Sequence, residues 1–186
     1  MCVCSFLGQV VYGSLMLIAL GLTLVPMFTP GWQQLKNSDG KDIHLGIFFC
    51  RNPDSEGNVH ADASDYCKQW WEHQTPKMKA VIACMCLAVI VEAAAIVWTI
   101  VTICACCCKS CLVHILPALA FVASILLAIA VGIYGVSHKD MIGPMKHDMK
   151  PGSITYSFYL ACAALGACIA DIIVGILTVT LAEVCL

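Results

Sequence analysis

The sequence predicts an all-α transmembrane fold, a four-helix bundle, and two observations predict it. Of the 186 residues, 60% are hydrophobic and only 12% are charged. A water-soluble domain of that size cannot hide so much apolar side chain, because a large share of any protein surface stays exposed. The apolar residues also fall into four stretches, about 5–28, 80–104, 112–136 and 154–181. Each is long enough to cross a bilayer core, which takes roughly 20 residues.

Taken in order, the first stretch reads as a retained span. No Lys or Arg precedes it, and its apolar run is longer than that of a cleavable leader. Loop one, 29–79, is long and polar and holds six of the ten Lys and Arg residues. Spans two and three are joined by the very short "ACCCKSC", and loop two, 137–153, is of middling length. Residues 1–186 therefore read as a single domain. The net charge of −2 gives nothing for nucleic acid to bind. No nucleotide-binding, hydrolase or kinase motif is present, and no nucleophile–base or metal-ligand set converges. The expectation is a protein that is not an enzyme, needs no cofactor or metal, and has membrane lipid and other membrane proteins as its partners.

Two signals bear on orientation, and they disagree. The positive-inside rule places loops rich in Lys and Arg in the cytoplasm, which would put loop one inside and leave only Lys109 opposite. Loop one also carries seven acids, however, and its length weakens the steering by charge. The fourteen cysteines argue the other way. Loop one holds just Cys50 and Cys67, while Cys2, Cys4, Cys104, Cys106, Cys107, Cys108, Cys111 and Cys185 gather at ends that share the opposite side. Cys50 and Cys67 lie 17 positions apart, and in an oxidising space their disulfide would contribute about 3 kcal/mol. Juxtamembrane cysteines on the reducing side, Cys104, Cys106, Cys107, Cys108 and Cys111, suit S-acylation. The orientation that satisfies both is termini and cysteine cluster in the cytoplasm, loops one and two outside, in the plasma membrane.

Several residues form a pattern. Trp32 opens loop one, Gly46-Ile47-Phe48 follows, and then come Cys50 and Cys67, the latter leading "CKQW". Lys79 stands at the start of span two, and "AVGIYGV" closes span three. In these features, and over nearly its whole length, the chain resembles the claudin superfamily: claudins, peripheral myelin protein relatives and stargazin-like channel subunits. Gly46-Ile47-Phe48 stands where that family has Gly-Leu-Trp, one residue closer to the first cysteine than is usual. The pattern fits divergent, invertebrate claudin-like members. The resemblance implies a small extracellular antiparallel β-sheet on top of the bundle, stapled from Cys50 to Cys67, with Trp32 and Phe48 wedged beneath it. It implies a cell-contact or junction role with an opposing-cell or homo-oligomeric partner, or else an auxiliary role on an ion channel or receptor. The residues of loop one suit a sheet: "IHLGIFF" favours β structure, and "NSDGK" supplies a turn at Asp39-Gly40.

Loop two carries Met141, Met145 and Met149 at every fourth position, an adaptable contact surface. Inside the spans lie Gln9, Glu92 and Asp171, with no Lys or Arg in any span to pair the acids. A charged side chain there costs at least about 2.5–3.5 kcal/mol, so each acid requires partners. Gln9, Tyr12, Thr99 and Tyr134 are the polar side chains available to them, whether in helix packing within the bundle, against a partner subunit, or in an ion or proton pathway. The small residues of "ALAFVAS" and "YLACAALGACIA" allow close helix approach.

Overall fold

The computed structural model describes residues 3–29, 32–36, 42–45, 75–104, 112–137 and 156–184. Four long helices dominate it: α1 (Val3–Phe28), α2 (Pro76–Cys104), α3 (Ile115–Ser137) and α4 (Tyr156–Val184). All four are long and apolar enough to span a membrane. The second begins earlier than the apolar run suggested. Met78 and Lys79 both donate their backbone N–H to Thr75 O, and Pro76 takes the first helical position, where a missing N–H costs nothing. Lys79 therefore lies in the first turn of α2, exposed.

Between α1 and α2, β1 (Gln33–Lys36) and β2 (Asp42–Leu45) pair antiparallel, with Gln33 opposite Leu45 and Lys36 opposite Asp42. The turn expected at Asp39-Gly40 lies outside the described residues.

The helices form a closed ring in which α1 packs on α4 and α2, and α3 packs on α2 and α4. Each helix turns one stripe inward at alternating steps of three and four residues, the spacing of left-handed helix packing. On α1 the stripe is Gln9, Tyr12, Met16, Ala19, Thr23 and Pro26. On α4 it is Ser157, Ala161, Ala164, Cys168, Asp171, Gly175 and Thr178, all small or polar. The outer faces carry the large apolar residues instead, among them Leu17, Ile18, Ile90, Val97, Phe121 and Ile173. Lipid tails solvate those as well as another helix would, so nothing drives them inward. Small inward residues bring the backbones close, and polar ones supply the bonds.

The two ends of the bundle differ. At one, Thr29 and Ser157 hydroxyls meet at 3.0 Å, and Pro76, Lys77 and Ala80 of α2 face Gly132, Ile133 and Val136 of α3 across a shallow hollow. Residues 30–74 and 138–155 both depart from this loop end. At the other, the link end, Trp98 donates its indole N–H to Leu112 O at 3.0 Å, tying the last turns of α2 to the entry of α3. Trp98→Phe keeps an aromatic side chain and removes that bond. The expected loss is about 1 kcal/mol in detergent unfolding, against no change if the link is held by lipid alone.

Candidate functional site

At the loop end, Trp32 is almost completely buried. Its indole N–H donates to Pro26 O, one of the last-turn carbonyls of α1 that has no helical donor of its own. Its ring meets the edge of Tyr134 at 4.7 Å between centroids, and the Tyr134 hydroxyl donates to Trp32 O at 2.8 Å. Phe158 of α4 flanks Tyr134 at 5.8 Å. One tryptophan thus caps α1, seats the start of β1, and reaches across the ring to α3.

A second cluster lies in the bundle interior, among groups of all four helices. Glu92 of α2 is completely buried. Its Oε1 lies 2.9 Å from Thr23 Oγ1 of α1 and 3.5 Å from the Cys168 thiol of α4. Since α2 and α4 are not neighbours in the ring, the contact to Cys168 crosses the bundle axis. Asp171, also completely buried, follows Cys168 by one turn on the same stripe. Both oxygens of Asp171, Oε2 of Glu92 and both amide atoms of Gln9 have no hydrogen-bond partner. Tyr12 spends its hydroxyl on Leu116 O at 2.7 Å, a second contact across the axis, from α1 to α3.

None of the four side chains available to the acids by sequence bonds them. Tyr134 donates to Trp32 O, Tyr12 to Leu116 O and Thr99 to Ala95 O, while Gln9 bonds nothing. The bonds to Glu92 come from Thr23 and Cys168 instead. The available signal was the stripe itself, since Thr23 follows Met16 and Ala19 at steps of three and four, and Cys168 precedes Asp171 by one turn. The complete burial of both acids also turns them away from lipid and from any partner subunit.

Of the other residues singled out by sequence, Cys104 ends α2 on an exposed turn. Gly46, Phe48, Cys50, Cys67, Cys106, Cys107, Cys108, Cys111, Met141, Met145 and Met149 lie outside the described residues. Among the described residues, no group of His, Cys, Asp and Glu is arranged to hold a metal ion.

A family model described as tight junction protein, claudin-like, matches residues 1–186. No curated protein matches the chain significantly. With four apolar helices in a closed ring and a buried tryptophan at the entry to its first loop, the chain belongs to the claudin-like tight junction protein family.

Proposed function

We propose that this is a non-enzymatic, multi-pass plasma-membrane protein that mediates cell–cell contact or junction assembly through its two loops. The observation that carries this is the match of the claudin-like tight junction family to the whole chain. The departure of both loops from one end of the bundle supports it, because a contact surface requires them on the same side. In this reading the loop end is extracellular, and β1 and β2 belong to a larger sheet stapled by Cys50 and Cys67. Met141, Met145 and Met149 meet the partner, an opposing claudin-like protein or a second copy. The link end and its cysteines face the cytoplasm, where Cys104 and its neighbours are acylated. The alternative of an auxiliary channel subunit draws no support from Glu92 and Asp171, whose side chains point into the bundle.

The test is expression in cells that lack junctions. Protein is expected to concentrate where two expressing cells touch, and not where an expressing cell meets a bare one. Even distribution at both contacts, together with co-purification of a stoichiometric channel, would replace the contact role with the auxiliary one. Impermeant thiol reagents on intact cells are expected to label Cys50 and Cys67 only after reduction. Labelling of both without reduction would remove the disulfide from the proposal.

A further inference from the structure

Glu92 and Asp171 pose an electrostatic problem that the contact role does not absorb. Both are completely buried in a membrane-spanning bundle. The described Lys residues nearest along α2, Lys77 and Lys79, belong to its first turn, and Lys79 is about 20 Å from Glu92 along the helix axis at 1.5 Å per residue. Neither lysine therefore neutralises Glu92, both oxygens of Asp171 lack a hydrogen-bond partner, and among the described residues Glu92, Cys168 and Asp171 are not arranged to hold a metal ion. The Cys168 thiol that Glu92 meets precedes Asp171 by one turn of α4, which brings the two carboxyls near each other. Two ionised carboxylates close together in a low-dielectric interior repel strongly.

The contacts of Thr23 indicate how the charge is removed. Its single hydroxyl lies 2.9 Å from Ala19 O and 2.9 Å from Glu92 Oε1. A backbone carbonyl only accepts. With Glu92 ionised, both neighbours are acceptors, and one hydrogen cannot serve both well. With Glu92 protonated, the carboxyl O–H donates to Thr23 Oγ1 and the Thr23 hydrogen goes to Ala19 O, so both contacts are made. The Cys168 thiol then donates to a lone pair of Oε1. Asp171 provides the second, separate observation: a fully buried carboxyl on the same inward stripe with neither oxygen bonded. As a carboxylate it would leave a full charge without a donor, whereas a proton removes that charge.

We propose that Glu92 and Asp171, with Thr23 and Cys168 around them, form a proton-binding site inside the bundle, in which both carboxyls carry protons while the four helices are assembled. The titratable groups facing the site are Tyr12 from α1 and Cys168 from α4. From α3 there is none, since its one titratable side chain, Tyr134, bonds Trp32 O at the loop end. The bundle therefore takes up protons as it assembles. An exposed carboxyl ionises at about pH 4, so above that pH the assembled state binds more protons than the unfolded chain. Stability is fully present in acid and falls as pH rises, by up to about tenfold in the folding equilibrium per pH unit for each proton released. Glu92→Gln and Asp171→Asn imitate the protonated groups and remove that dependence.

Two measurements test the site. The first is the unfolding midpoint of the full-length protein in mild detergent across a series of pH values. Wild type is expected to lose stability as pH rises, each single variant to lose less, and the double variant E92Q/D171N to show the flattest profile. Equal slopes in wild type and the double variant would overturn the proposal. The second needs no variant to fold. At neutral pH every solvent-exposed carboxylic acid is ionised, so an infrared carbonyl band of protonated carboxyl must come from buried groups. Wild type is expected to show that band, with a part that shifts when glutamate carboxyls carry heavy carbon and a part that shifts when aspartate carboxyls do. Absence of the band, or a band that neither label moves, would overturn it.

Discussion

Trp32→Ala is expected to cost about 3–5 kcal/mol of unfolding free energy, the range for emptying a buried tryptophan site. The magnitude follows from how much converges on one ring. The indole N–H satisfies a carbonyl at the end of α1, the ring packs edge-on against Tyr134, and the Trp32 carbonyl takes the Tyr134 hydroxyl. Removing the side chain leaves a cavity at the loop end and a buried carbonyl with no donor. The second consequence is functional. Trp32 lies next to β1, so without its ring the first strand is held to α3 only by the Tyr134 hydroxyl on the backbone carbonyl, and the presentation of loop one loosens. Denaturant unfolding in mild detergent, followed by the helical circular dichroism signal, measures the first effect, and enrichment at contacts between expressing cells measures the second. Tyr134→Phe separates the components: it keeps the ring contact, removes one hydrogen bond, and is expected to cost only about 1 kcal/mol. If Trp32→Ala costs no more than Tyr134→Phe, the ring is not the anchor of the loop end.

The next largest effect is expected at Gly175. A Cβ built there would lie 3.1 Å from the Pro117 Cβ and 3.2 Å from its Cα and N. Those atoms belong to a rigid ring and a helix backbone, so the neighbour cannot swing aside. In a bilayer no hydrophobic force compensates for a lost close approach, because lipid takes the place of the departed helix at no cost. Gly175→Leu is therefore expected to destabilise by about 3 kcal/mol, the upper part of the overpacking range, and Gly175→Ala by about 1 kcal/mol. Gly166, on the same helix with nothing within 4 Å of its Cβ, is the control, and Gly166→Leu is expected to change stability little. A close approach of another kind joins α1 to α4, where a Cβ on Gly8 would lie 2.5 Å from Thr178 Oγ1, a side-chain atom rather than backbone. Equal behaviour of Gly166→Leu and Gly175→Leu in detergent melting would mean that the α3–α4 contact is not tight.

The sequence marks the acids of the site but not their partners. Glu92 and Asp171 could be picked out because an acid in an apolar run is conspicuous, and Trp32 because of the residues that follow it. Their partners could not. Thr23 is one threonine among several in the spans, Cys168 one cysteine of fourteen, and both join the site through rotation about their helix axes. The start of α2 is hidden in the sequence for a different reason. Thr75-Pro76 carries the helix signal, but Lys77 and Lys79 interrupt the apolar pattern that marks a span.

What the sequence alone determined is the number of spans, their limits to within a few residues, and the membrane as solvent. These follow from local hydropathy, which needs no knowledge of neighbours. The stripes at steps of three and four are also written locally, as is the concentration of small residues in α4. Which stripe meets which was decided only by the tertiary structure. The ring order, with α2 opposite α4, puts Glu92 on Cys168 across the axis. The same closure buries Trp32 against Tyr134, more than a hundred residues away in the chain. Lipid and helix are equally apolar solvents for Leu or Ile, so hydropathy is silent on pairing, and close backbone approach and a few buried hydrogen bonds choose the partners.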